Sequence, residues 1–171
     1  SIPFDLGVLM AQNEAKTRCG TPASRIRGRV RRMKGTFSGG TAASLRETLV
    51  AAAKDPAVMA LLRDPFSLTP GFEGPKQPSG HKPLFEEATG MWVAPFVMAA
   101  INTRNVHRSN FLLHHAYGTD FVYDEMMFTG TGEKGEAMAN AVAADKSLGG
   151  DGGPKQGEGP SRAERDAGYY D

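Results

Sequence analysis

Apolar positions change period several times along the chain, and each change marks an element. Pro3 suits the first turn of a helix. Leu6, Leu9 and Met10 follow at helical spacing and polar Asn13 takes the next place, so residues 3–16 predict a helix whose apolar face fades toward its end. After the Gly/Pro break at 19–23 the period becomes two. Ile26, Gly28 and Val30 alternate with Arg25, Arg27, Arg29 and Arg31, predicting a half-buried strand over 25–37 with one cationic face. A glycine-rich exit, Gly35 to Gly40, leads into a helix over 41–54. Thr41 is its candidate N-cap, and Ser44 and Glu47 have capping-box spacing. Asp55-Pro56 supplies an N-cap and a first-turn proline for a second short helix, which stops at Asp64 before Pro65.

Residues 65–83 hold five prolines and three glycines without periodicity and read as a long loop. Beyond it the pattern gives a strand over 90–95, a helix over 96–113, a strand covered on both faces over 121–128, and an alanine-rich helix over 133–148. Residues 149–160, with six glycines and two prolines, read as a linker. A last helical turn follows over 161–167, and Gly168 to Asp171 closes no element. The order predicts an α+β fold, a mixed sheet with helices packed on one face. Residues 1–148 form the body and 149–171 a linker with the start of a further segment. Three strands are few for an independent sheet, which suggests missing neighbours. Ser1 opens directly onto a helix, as in an excised or processed fragment or after removal of an initiator Met.

The 171 residues suffice for one domain or a large piece of one. Gly and Pro together equal the 32 residues of Leu, Ile, Val and Phe, so the core is thin, but a net charge of +1 argues against disorder. The longest apolar run, 91–101, is eleven residues, far short of the roughly 20 of a membrane span. No signal peptide opens the chain, and a single cysteine, Cys19, excludes an internal disulfide and a Cys-based zinc site. A cytoplasmic location is the expectation.

Four features could carry chemistry. Lys16, Arg18, Arg25, Arg27, Arg29, Arg31, Arg32 and Lys34 form a basic stretch with no acid between Glu14 and Glu47. Strand 25–34 could thus bind nucleic acid or another anionic surface, although no aromatic is interleaved for stacking. A solvated face, or contact with an acidic neighbour outside the chain, is the plainer reading. Ser38-Gly39-Gly40-Thr41 joins a strand to a helix N-terminus, where free N–H groups can receive an anion. Its spacing is neither that of a phosphate-binding loop nor that of a dinucleotide fingerprint, and a structural turn is the alternative. On the helix around Asn102, Val97, Ile101, Arg104 and Arg108 share a stripe, and two guanidiniums four apart could clamp a carboxylate or phosphate. Long stems covering apolar surface are the alternative. The histidines 81, 107, 114 and 115 show no metal-binding spacing, and His114-His115 suit a helix C-terminus. Lastly, Tyr123 and Glu125, two apart on a strand, face the same side and can hydrogen-bond, as a proton-transfer site or as a structural pair.

Five segments, in order, resemble one family. They are Ser1 to Leu9, Gly35 to Ala42, Ala94-Pro95-Phe96-Val97-Met98, Asn102-Thr103-Arg104-x-Val106-x-Arg108-Ser109 and Tyr117-Gly118-x-x-Phe121-x-Tyr123-x-Glu125. They are similar to the saccharopine-dehydrogenase-like oxidoreductases, a group that includes the trans-acting enoyl reductases. The resemblance implies an NAD(P)-dependent oxidoreductase whose N-terminal Rossmann domain grips the cofactor. This chain would be the second, substrate-side domain, inactive in isolation. It implies a lipid-like or acyl substrate and the chain's own Rossmann domain as partner; apart from the resemblance, the edges of an incomplete sheet tend to associate, so a homodimer is a further reading. Ser1, Ile2, Pro3 and Asp5 would lie in the crossover passing the cofactor's nicotinamide end. Ser38, Gly39, Gly40 and Thr41 would face the substrate cleft with Asn102, Arg104 and Arg108. No catalytic residue is assigned, no metal is expected, and nucleic acid is the alternative rather than the expected partner.

Overall fold

The computed structural model describes residues 2–35, 38–145, 155 and 157–171. Ser1, Thr36-Phe37 of the glycine-rich exit and most of the 149–160 linker fall outside them. Four strands form the main sheet in the order β1 (Arg25–Val30), β5 (Val122–Gly130), β4 (Met91–Pro95), β3 (Leu84–Glu86). β1 lies parallel to β5, and the other two pairings are antiparallel, so the sheet is mixed as expected. α1 (Ile2–Cys19) packs on β1 and on α4 (Ala99–Leu112), which itself lies on β5. α5 (Gly132–Ala144) crosses β4 and β5. α2 (Gly39–Lys54) and α3 (Pro56–Arg63) form a helical hairpin.

The core beneath α1 and α4 is Val8, Val106, Tyr117, Phe121 and Tyr123. Removing an aliphatic or aromatic side chain from water contributes about 1.5–3 kcal/mol, so these five hold both helices to the sheet. Polar side chains fix the joints. Buried Gln12 donates to Ala23 O at 2.9 Å and accepts from Ala23 N at 2.8 Å, tying α1 to the segment before β1. Asn110 does the same for the chain after α4, donating to Gly118 O and accepting from Tyr117 N.

Several expectations need correction. On α1 it is Val8 and Gln12 that are buried, while Leu6 and Met10 stand out in solvent at 58% and 76% exposure. The strand begun at Arg25 stops at Val30, because Arg31 and Arg32 turn to bond Asp171; Met33–Lys34 forms a separate strand, β2. β2 pairs antiparallel with β6 (Tyr169–Tyr170), so the last residues do close an element. β3 went unread because Pro83 and Gly90 bracket only a few residues, too short a run for alternation to register. α2 is capped by Ser38, whose Oγ accepts from Thr41 N, not by Thr41. His114 and His115 adopt left-handed backbone conformations, φ 53° and 57°, and close α4 through their main chain. Asp55 caps α3, and the Ser161–Glu164 capping box opens α6 (Arg162–Asp166).

Candidate functional site

β5 carries two sets of functional groups on opposite faces. Tyr123 and Glu125 point toward α1 and α4, and Asp124 points away, as period two requires. Tyr123 Oη donates to Glu125 Oε1 at 2.7 Å, and Asn102 Nδ2 of α4 donates to Oε2, also at 2.7 Å. All three side chains are essentially inaccessible to water, at 2%, 1% and 0% exposure. Burial raises the Glu125 pKa to about 7, against the opposing effect of the bonds from Tyr123 and Asn102. Burial, reinforced by the neighbouring Glu125 carboxylate, also pushes the Tyr123 phenol up. The pair therefore holds a carboxyl that both gains and loses a proton near neutrality beside a phenol that stays protonated.

Gly28 of β1 makes room for it. A Cβ there would stand 2.8 Å from Tyr123 Oη and 3.0 Å from Glu125 Cγ, closer than side chains tolerate. Two clefts flank the pair. One, of about 440 Å³, runs between α1 and β1, with Pro3, Phe4, Val8, Ile26 and Val30 as apolar walls and Gly28 and Tyr123 at its base. The other, of about 480 Å³, lies among the end of α3, the 77–81 loop and α4. Thr103, Arg104, His107, Tyr123 and Glu125 line it. His107 is buried against Phe66 and Phe121 with Nε2 unbonded; burial lowers its pKa to about 4 and keeps the imidazole neutral.

The residues singled out in the sequence are dispersed. Asn102 joins the Tyr123–Glu125 pair. Arg104 is turned to main-chain carbonyls, donating to Ala100 O, Leu62 O and Asp64 O, so its guanidinium ties α3 to α4. Arg108 is exposed. Ser38–Thr41 line neither cleft: the returning chain lies across them, with Gly39 N bonded to Glu158 O and no room for a Cβ at Gly39 against Lys155 O. Pro3 borders the α1–β1 cleft, Ile2 is exposed, and Asp5 accepts from Ser109 Oγ at 2.8 Å. Ser1 lies outside the described residues.

The arginine stripe turns out to have acidic partners within the chain. Arg29 reaches Glu86 Oε1 and Asp124 Oδ2, both at 2.8 Å, and all three side chains are under 10% exposed. Arg25 lies 3.4 Å from Asp124 and Arg27 4.0 Å from Glu86. Burial opposes ionisation of Glu86, yet Arg29 holds its pKa below the ordinary carboxylate value. The expected free cationic face is thus an ion-pair network on the far side of the sheet. Glu86 on unread β3 and Asp124 on a strand 99 residues downstream of Arg25 could not be matched to it from local spacing.

A G-x-G-x-x-G spacing does occur in the chain, Gly130-Thr131-Gly132-Glu133-Lys134-Gly135, where β5 runs into α5. Gly130 and Gly135 pack against each other here. A Cβ on Gly135 would collide with Gly130 O, and Thr129 Oγ1 bridges Trp92 O and Gly135 O at 3.1 and 2.9 Å. Glu133 places a carboxylate in the first turn, where a pyrophosphate would need positive potential, and neither cleft beside Tyr123 reaches this turn. This turn does not fit a dinucleotide's pyrophosphate. Among them no cluster of His, Cys, Asp and Glu could hold a metal ion, and no helix is long and apolar enough to cross a membrane.

Fold and site define an α+β unit with a buried proton-bearing pair walled between two clefts. Comparison with known proteins narrows this. A protein of Mycobacterium tuberculosis provisionally named a trans-acting enoyl reductase is 38% identical over 99% of this chain. Trans-acting enoyl reductases of Mycobacterium bovis and Mycobacterium ulcerans are 33% and 32% identical over 78% of it. The chain fits as a fragment of the trans-acting enoyl reductase family. It spans about half the length of the first of these relatives (46%) and 38% of the other two. No family model and no solved structure matches it.

Proposed function

We propose that this chain is the substrate-side domain of an NAD(P)-dependent reductase acting on an enoyl or other acyl, lipid-like compound. The observation that carries the reading is the match along 99% of the chain to a protein named for enoyl reduction. The apolar α1–β1 cleft supports it, since an acyl chain needs such walls. Tyr123 at its base, bonded to Glu125 behind it, supports it further, since adding hydrogen across a carbon–carbon double bond requires a proton as well as a hydride. A reduced nicotinamide would supply that hydride, and the proposal assigns its grip to the part of the relatives' length that this chain does not span. What the chain's own residues contribute is a largely apolar seat for the acyl group and a held proton.

The test is to titrate NADPH into the 171-residue chain and into the full-length polypeptide that carries it, and to assay both for reduction of an enoyl thioester. Binding and turnover by the full-length polypeptide only is the expected result. Tight NADPH binding by the 171-residue chain alone overturns the assignment of the cofactor to the rest of the polypeptide. Absence of enoyl reduction by the full-length protein overturns the activity.

A further inference from the structure

Tyr123, only 2% exposed, borders both clefts, whereas the carboxyl behind it borders only the one beside α4. On the α1–β1 side the phenol sits at the base of an apolar groove, beneath the one β1 position where a side chain would strike it. Behind it stands Glu125, bonded to the phenol through one oxygen and locked by Asn102 through the other. The carboxyl is therefore fixed in the rotamer that faces the phenol, and it borders the α4-side cleft. Such an order (apolar groove, hydroxyl, carboxyl, polar cleft) is more than core packing requires, because a buried Tyr–Glu–Asn cluster gives up favourable hydration at all three groups.

We infer that Tyr123 is the catalytic acid–base group of this domain, with Glu125 its proton reservoir, acting on the α-carbon of an acyl thioester whose chain lies in the α1–β1 groove over Gly28. The inference rests on the acyl-substrate reading above. In the forward direction Glu125 is protonated and donates to Tyr123 Oη, which frees the phenol's own hydrogen; the Tyr123 O–H bond breaks and a C–H bond forms at the α-carbon of the thioester enolate. Glu125 passes its proton to the phenolate, and a proton enters from the α4-side cleft when the buried pair opens to it, restoring Glu125. In reverse the α C–H bond breaks, the proton returns to the pair, and an enolate remains. Neither direction oxidises or reduces anything, so the pair can exchange α-hydrogen for solvent deuterium on a saturated thioester without any dinucleotide.

The experiment uses the full-length polypeptide in D2O with a decanoyl thioester of N-acetylcysteamine, following α-deuterium by mass spectrometry. Wild type is expected to exchange. Tyr123→Phe should lower the rate by about 10²–10⁴-fold, the usual weight of a positioned acid–base group. Glu125→Gln should lower kcat for exchange with KM unchanged, a split that a purely structural role would not give. A photoreactive diazirine version of the thioester, used on wild type alone, guards against variants that fail to fold; it should label peptides within 3–11 and 26–30. Labelling confined to other segments, or exchange unaffected in folded Tyr123→Phe protein, overturns the inference. Reduction of an enoyl thioester in that same preparation would leave the proposed function standing, whereas no labelling and no reduction would remove both.

Discussion

Replacing Arg29 with Met tests whether the arginine stripe is internal structure or free cationic surface. Arg29 is under 10% exposed and bridges two carboxylates that are equally withdrawn from water. Methionine preserves most of the stem but leaves Glu86 and Asp124 facing each other without their shared counter-charge. Breaking a buried ion pair from one side costs about 3–5 kcal/mol. Arg25 and Arg27 remain nearby, but they are nearly half exposed and lie at 3.4 and 4.0 Å, so they compensate only in part. The lower end, about 3 kcal/mol, is expected. For a chain of this size that is a fall in Tm of roughly 6–12 °C, read by circular dichroism at pH 7. The sign of the pH dependence follows from Glu86. Its folded pKa is lowered, so its stabilisation is present above the ordinary carboxylate pKa and lost as pH falls through the folded value. Arg29→Met removes that contribution, so the gap between variant and wild type should narrow as the pH falls below about 4. Adding Glu86→Gln to Arg29→Met should recover part of the loss. A deficit under about 1 kcal/mol that does not change with pH would mean ordinary screened surface pairs, and the nucleic-acid reading of strand 25–34 would regain its ground.

Three further outcomes follow from the site. Glu125, raised to about 7, contributes stability that is complete below its ordinary value and lost as pH rises through 7; His107, lowered to about 4, contributes stability present above its ordinary value and lost as pH falls through 4. The two arms oppose one another between about 4.5 and 6.5, so urea titrations should show a flat profile in wild type. Glu125→Gln should uncover a rise with pH of about 1.4 kcal/mol per unit, and His107→Phe a fall of similar slope; a sloping wild type with flat variants would contradict both assignments. Gly135→Ala places a methyl against Gly130 O and should cost about 1–3 kcal/mol by overpacking, measured by thermal melting, whereas Gly132→Ala meets no atom and should cost only what its φ of 59° imposes. Arg104→Ala frees α3 from α4, so hydrogen exchange should accelerate across residues 56–64 while amides of β5 stay protected.

Local signals carried most of the elements, because caps and periods are written within a few residues. Asp55-Pro56 marked α3, and alternation marked β1. What stayed hidden depends on distance. The acids that answer Arg25 and Arg29 lie on β3 and β5, and no spacing rule within the basic stretch points to them. Tyr123–Glu125 was legible as a same-face pair because period two fixes it. Asn102 was legible only as part of a helix pattern, since its bond to Glu125 spans 23 residues. A glycine spacing is present at 130–135, but a fingerprint is defined by what its glycines approach, and here Gly130 and Gly135 approach each other.

The pairing of β1 with β5 also sets a waiting time. Asp124 follows Arg25 by 99 residues, so at about 5–20 residues per second a ribosome takes roughly 5–20 s to deliver the neighbour of β1. Through that interval the first strand is an open edge that could recruit other chains. Three arginines on one side make self-association of nascent chains repulsive, and the same charges are neutralised once Asp124 and Glu86 arrive. The stripe thus guards the strand during synthesis and fastens it afterwards.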